Sequence, residues 1–300
     1  MTALRDIAWA KLNLTLEVLG RRADGFHELN SLVAFAGVGD TVELEPTQSK
    51  PRDALDLKVE GPFATALDGA NLILDAAEAA KVQSPGLTLG RFRLFKALPV
   101  AAGLGGGSAD AAAALRLIIR ANQDRLSEAA MADLAPDLGS DVAVCFGSKP
   151  ALITGRGELV TPVRGFPSCG VVLANPGLPL STADVYGTLD APPLEAPPQG
   201  TAPLDFSGDF DKLLDYVSPR GNDLEAVAMK LVPEVGDVLA ALRTLENARV
   251  VRLSGSGPTC FAVFATPRQA LRAATALVDS QPDWWIAAST LGDPEADSRT

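Results

Sequence analysis

Histidine is all but absent from the chain. His27 is the sole one, and the three cysteines, Cys145, Cys169 and Cys260, stand far apart with no Cys-x-x-Cys. That excludes a histidine–cysteine zinc site and a disulfide framework, and it points to a reducing compartment. Positive charge is in deficit too: 26 Lys and Arg against 37 Asp and Glu leave a net charge of −11. A field of that sign repels nucleic acid and anionic membranes. A polyphosphate ligand would have to be held by local dipoles and a few placed cations. Long apolar runs are missing as well. The longest uncharged stretch, 165–183, is broken by Pro167, Pro176 and Pro179, and the opening MTALRDIAWAKLN carries no apolar core of a signal peptide. The expected location is the cytoplasm, with neither nucleic acid nor membrane as a partner.

What is present is the pattern of an α+β protein of about two domains. Ala10, Leu12, Leu14, Leu16 and Val18 alternate with polar residues and predict one half-buried strand, with Lys11 and Asn13 pointing the same way. Helices are predicted at 71–81, 108–120, from Ser127 to Pro136, and at 182–189, 222–231, 235–245 and 268–278. Strands are predicted at 87–95, 170–174, 250–254, 260–265 and 284–288, and a hairpin at 151–163. The proline-rich stretch 191–208 predicts an exposed loop without packed structure. The division expected is 1–164, 165–290 and a flexible tail at 291–300.

One segment carries chemistry by itself. PVAAGLGGGSAD, Pro99 to Asp110, puts four glycines in five residues between a strand and a helix. Glycine lets backbone N–H groups approach a phosphate with no Cβ in the way. The helix start adds unpaired donors and partial positive charge, and Ser108 adds a hydroxyl. No Gly-Lys-Ser/Thr follows, so this is not a Walker A loop, and the spacing is not that of a dinucleotide fingerprint. A second glycine–serine turn, LSGSG at 253–257, lies between two strands, where most such turns are plain hairpins. Asp141, before an apolar run, reads by itself as a helix cap or turn aspartate.

Taken together, these segments resemble the GHMP kinase superfamily of small-molecule kinases. The loop is similar to its Pro-x-x-x-Gly-Leu-Gly phosphate motif, and Leu253–Gly257 to its C-terminal glycine motif. AKLNLTLEVLGRRADGFHELNSLV at 10–33, LGSDVAVCF and TGRGELVTPV resemble the branch whose acceptor is a cytidine diphosphate-linked methylerythritol. The resemblance spans about residues 8–264. It implies a ribosomal-protein-S5-like N-terminal domain that binds ATP, a ferredoxin-like C-terminal domain, and an active site in the cleft between them. ATP and Mg²⁺ are the implied cofactors, the magnesium ligands being left open. A monomer or weak homodimer is expected.

Carried over by residue, the resemblance makes Asp141 the acceptor of the hydroxyl proton and Lys11 the cation beside the transferring phosphate. Asn13 positions the same group. Pro99, Val100, Ala101, Ala102, Gly103, Leu104, Gly105, Gly106, Gly107, Ser108 and Ala109 wrap the triphosphate, with Asn71 and Lys96 near the nucleotide. Phe26, His27 and Tyr186 hold the cytosine, the two aromatics by stacking and His27 through its backbone. Phe26 replaces the family's usual tyrosine, which keeps the π face and loses a hydroxyl. Ala143 replaces a frequent proline. Two alternatives stay open: a GHMP kinase for homoserine or mevalonate, and a non-catalytic nucleotide- or sugar-binding regulator on the same fold.

Overall fold

The computed structural model describes residues 3–46, 55–67, 69, 71–123, 125–196 and 202–294. In chain order the elements are β1 (Leu4–Asn13), β2 (Glu17–Arg21), β3 (His27–Pro46), β4 (Asp56–Glu60), α1 (Leu72–Gln83), β5 (Gly90–Phe95), α2 (Gly106–Ala121), α3 (Glu128–Ala132), α4 (Ala135–Leu138), α5 (Val142–Gly147), β6 (Ala151–Gly155) and β7 (Leu159–Pro162). They continue with β8 (Cys169–Asn175), α6 (Thr182–Thr188), α7 (Phe210–Val217), α8 (Glu225–Leu231), α9 (Glu234–Arg243), β9 (Val250–Leu253), β10 (Cys260–Phe264), α10 (Pro267–Ser280) and β11 (Trp285–Gly292). The chain forms two compact units. The first holds residues 1–10, 39–100 and 105–147; the second holds 11–38, 101–104 and 148–300. Among the described residues, no helix is long and apolar enough to cross a membrane.

In the first unit, β5 pairs antiparallel with β3, Thr41 opposite Phe95, and parallel with β4. Val42, Leu44, Phe92 and Leu94 turn their side chains inward, each at most 1% exposed. The helix α1 starts where Asn71 Oδ1 accepts the Ile73 N–H at 2.9 Å, a standard cap. Its buried face is Ile73, Ala76, Ala77 and Ala80, and α2 answers with Ala109 and Ala111–Ala114. Small residues on both faces let the two helices pack closely. From α2, Arg116 donates to Asp6 and the Ile7 carbonyl on one side and to the Cys145 carbonyl, at 2.9 Å, on the other.

In the second unit the strand order is β3-β11-β8-β10-β9, every pair antiparallel, and β2 and β6 also pair with β3. All of β8 is buried. Val172, Ala174, Ala262 and Phe264 from the sheet meet Leu239, Leu242, Ala270 and Leu277 from α9 and α10 in one apolar cluster. Thr266 caps α10 with a reciprocal capping box to Gln269.

Four expectations need correction. The strand predicted across 10–18 is two strands: β1 stops at Asn13, the Leu14 and Thr15 amides turn to the Leu32 carbonyl, and β2 starts at Glu17. Residues 10–16 are buried throughout, so alternation there did not mark a wet face. Pro136 does not end the helix begun at Ser127. That helix stops at Ala132, and Pro136 sits in the first turn of α4, where its missing N–H costs nothing. The proline-rich stretch is anchored at both ends: Leu194 and Arg21 bond through their backbones at 2.8 Å, and Phe206 is buried at 4% exposure; residues 197–201 lie outside the described residues. Finally, β11 runs on through Leu291 and Gly292, paired with Ala36 and Phe35, two residues into the expected tail; 295–300 lie outside the described residues.

Candidate active site

The glycine segment has the backbone its composition predicts. Ala101, Gly103 and Gly105 have φ of 50°, 72° and 63°. A left-handed alanine is uncommon and costs roughly 1 kcal/mol, so the surroundings must enforce it. Within the second unit, three bonds fix Ala102–Leu104. Lys11 N–H donates to the Leu104 carbonyl at 2.9 Å, Ser254 Oγ donates to the Gly103 carbonyl at 2.9 Å, and Thr259 N–H donates to the Ala102 carbonyl at 3.3 Å. The second glycine turn therefore packs on the first and holds it, as its resemblance to the family's C-terminal glycine motif implies. Asn222, in the turn before α8, braces it by donating to the Leu253 and Gly255 carbonyls at 2.9 and 2.8 Å.

Within the first unit, Gly105 caps α2, and the first intrahelical bond runs from the Ala109 N–H to the Gly105 carbonyl at 2.8 Å. The N–H groups of Gly105, Gly106, Gly107 and Ser108 thus have no acceptor within the helix, which is the arrangement that binds phosphate. The Ser108 hydroxyl lies beside Gly139, 3.9 Å from where a Cβ would stand there. Asp141 follows two residues later, at the start of α5, with its carbonyl accepting the Cys145 N–H at 3.0 Å.

Lys11 is 4% exposed on β1 and Asn13 is 2% exposed at its end. The Asn13 amide N–H donates to Ser254 Oγ at 3.4 Å, its Nδ2 donates to Ser31 Oγ at 2.8 Å, and its buried Oδ1 has no protein partner among the described residues. A buried amide oxygen with no donor is costly, which favours a ligand donor there.

The aromatic residues separate into two pairs, all in the second unit. The His27 and Tyr186 rings lie 5.1 Å apart, tilted by 33°. Phe26 is 51% exposed, with the Arg156 guanidinium 4.8 Å above its ring. His27 titrates below the ordinary histidine value, first because of burial and then because of the charge of Arg21, so it is neutral at pH 7. Glu28 ties these segments together, accepting from Arg22 at 2.7 Å and from the Gly155 N–H at 3.1 Å. Arg156 and Glu28 escaped the sequence reading. The only signal for them was a Gly-Arg-Gly turn and one acidic residue on a strand.

Lys96, expected near the nucleotide, has its ammonium between two carboxylates, 2.6 Å from Asp40 and 2.7 Å from Asp110. Burial works against that charge, but the two carboxylates outweigh it and raise the lysine's pKa. Asp110 is pushed up to about 7, by burial foremost, with Lys96 opposing and Asp40 adding to the rise. Asn71 uses its side-chain oxygen to cap α1. Neither Asp40 nor Asp110 stood out in the sequence.

Comparison with known proteins gives the family. Residues 71–149 match the GHMP kinases N terminal domain, and residues 205–282 match the GHMP kinases C terminal domain. The 4-diphosphocytidyl-2-C-methyl-D-erythritol kinase of Methylobacterium radiotolerans is 46% identical, over 97% of this chain and 100% of its own. A crystal structure of 4-(cytidine 5'-diphospho)-2C-methyl-D-erythritol kinase is similar at a TM-score of 0.74 and 32% identity, covering 96% of this chain and 99% of that one. Homoserine kinase from Cytophaga hutchinsonii shares the fold, with a TM-score of 0.70 at 16% identity, covering 98% of this chain and 96% of that one. The chain belongs to the 4-diphosphocytidyl-2-C-methyl-D-erythritol kinase family of GHMP kinases.

Proposed function

We infer that this chain transfers the γ-phosphoryl group of ATP to the 2-hydroxyl of 4-diphosphocytidyl-2-C-methyl-D-erythritol, giving the 2-phosphate and ADP. The step belongs to non-mevalonate isoprenoid precursor synthesis. The observation that carries this reading is the glycine segment, whose α2 start offers four N–H groups without intrahelical acceptors to a phosphate.

Phosphoryl transfer asks a protein chiefly for positioning and charge stabilisation. Pro99–Ala109 cradles the triphosphate, with Asn71 toward the nucleotide and Lys96 near it but acting from behind the loop, its ammonium bound to Asp40 and Asp110. Lys11 stabilises charge on the transferring group, and Asp141 orients the acceptor hydroxyl and takes its proton as the new P–O bond forms and the ADP oxygen leaves. Asn13 holds the acceptor. Phe26, His27 and Tyr186 clamp the cytosine, and the neutral imidazole adds no charge there. Magnesium, when bound, offsets phosphate charge. The assignment keeps an ATP-binding domain at 1–164 and a substrate-side domain at 165–290, in a cytoplasmic monomer or weak homodimer.

Asp141→Asn and Lys11→Ala test the roles. Both are expected to fold and bind ATP while kcat falls about 10² to 10⁴-fold, the range for losing a general base or a charge stabiliser. Near wild-type turnover in either overturns the assignment. An ADP-release assay over several alcohols tests the acceptor. Turnover on homoserine or mevalonate in place of the cytidine compound, or ATP binding with no turnover on any acceptor, would replace this reading.

A further inference from the structure

Lys96 and Asp110 flank the phosphate loop. One stands three residues before Pro99, the other directly after Ala109. Their side chains meet at 2.7 Å with 2% and 4% exposure, so a buried hydrogen bond from the Lys96 ammonium to the Asp110 carboxyl closes the loop at its base. Asp40, 0% exposed on β3, completes the arrangement. Its Oδ2 takes the Lys96 ammonium at 2.6 Å, and its Oδ1 accepts the N–H groups of Ala97 and Leu98 at 2.6 and 2.8 Å. A Cβ on Gly106 would stand 3.2 Å from the Lys96 nitrogen, so the ammonium lies directly against the first turn of α2. Two carboxylates and one ammonium are an uneconomical way to fill a core, since apolar residues of like volume usually stabilise as well or better. What the triad supplies is geometry. It fixes the strand entering the loop and the helix leaving it relative to one another.

We propose that Asp40, Lys96 and Asp110 are positioning residues that hold the phosphate loop in its nucleotide-binding shape before the nucleotide arrives. The proposal rests on the nucleotide reading of the loop. Its contribution is to ATP binding and not to the acceptor, so it separates KM values. Asp110→Asn keeps the shape and one acceptor oxygen. Asp110→Leu keeps neither charge nor acceptor.

Steady-state kinetics on both variants, with thermal melts as the check on folding, decide the matter. The expected result is an ATP KM raised about tenfold in Asp110→Asn and further in Asp110→Leu, with the KM of the alcohol acceptor and kcat changed little. An unchanged ATP KM in folded Asp110→Leu overturns the proposal, as does a proportional decline in kcat and both KM values. Hydrogen exchange on the wild type reads the same point without any variant. The Ala97 and Leu98 amides are expected to exchange slowly in the free protein and to gain little on adding ADP. Fast exchange that slows only with ADP overturns the proposal. If ADP does not bind at all, the nucleotide reading fails instead, and the exchange rates of the free protein still report on the clasp.

Discussion

The Ser254 hydroxyl donates to the carbonyl of Gly103 at 2.9 Å, and the same hydroxyl accepts the Asn13 N–H at 3.4 Å. Gly103 can lie this close only because it has no side chain. A Cβ there would stand 2.2 Å from the Ser254 carbonyl oxygen and 2.7 Å from the Gly257 nitrogen, on a residue whose φ is 72°. The left-handed φ alone costs an alanine about 1–2 kcal/mol, before the clash is counted. Gly107 is the contrast. A Cβ there meets nothing nearer than Leu72 Cδ1 at 3.6 Å, within α2, where alanine is favoured over glycine by about 1 kcal/mol. Gly103→Ala is therefore expected to lower Tm and Gly107→Ala to raise it. Thermal melts of the two proteins check the pair, and a Gly103→Ala protein as stable as wild type would contradict the docking of the loop.

Much of this was legible in the sequence, and the limits have physical causes. Four glycines at a strand-to-helix junction announced the loop, because nothing but backbone approach requires them. Helices such as α2 and α10 followed from periodicity and caps. The twenty-residue strand β3 did not, because its buried run LVAFA lacks the alternation that marks a one-sided strand. Asp40 and Asp110 were invisible for another reason. A carboxylate owes its burial to a partner, and Asp40 meets its own 56 residues away. Arg156 escaped similarly, since its contact with Phe26 joins a hairpin turn to a distant loop.

That contact leads to a second expectation. The guanidinium over the Phe26 ring braces a side chain that is otherwise half exposed. A cation–π contact at such a site is worth about 0.5–1 kcal/mol, or roughly a twofold to fivefold change in affinity. Stacking on Tyr186 is worth about 0.5–1.5 kcal/mol, or roughly twofold to twelvefold. Arg156→Ala and Tyr186→Ala should raise the KM for the cytidine substrate by these factors, Tyr186→Ala more, and leave the ATP KM alone. Initial rates with each substrate varied in turn provide the measurement. A rise confined to ATP would remove both residues from the cytosine subsite.

The cysteines give a third. Cys145, Cys169 and Cys260 are all buried, and burial pushes the Cys260 thiol well above the ordinary cysteine range. The thiolate is the reactive form, and it needs a reagent's access that none of these buried thiols offers. A coloured disulfide reagent should find no thiol in the native protein at pH 8 and three after denaturation. Prompt native labelling would show that one of them is reached by solvent.

The last concerns pH. Two charged side chains bear on Asp110. Lys96 and Asp40 face it directly. The helix α1 turns its alanines toward α2 and leaves Asp75 and Glu78 exposed, and α5 brings no charged residue. Folding raises the Asp110 carboxyl from an ordinary 3.8 to about 7, burial being the main cause. Between those values the folded protein holds a proton that the unfolded chain has lost, so stability from this group falls as pH rises. The contribution is full below pH 4, and it is gone once pH has passed 7. Asp110→Asn cannot titrate and lacks this slope. Other carboxylates titrate in both proteins, so the difference between the two melting curves isolates Asp110. The Tm of Asp110→Asn minus that of wild type should rise steadily from pH 5 to pH 7 and level off above 8, whatever its starting offset. A difference that is flat or falls over that range would mean that Asp110 is already ionised at pH 5, held so by Lys96 against both burial and Asp40.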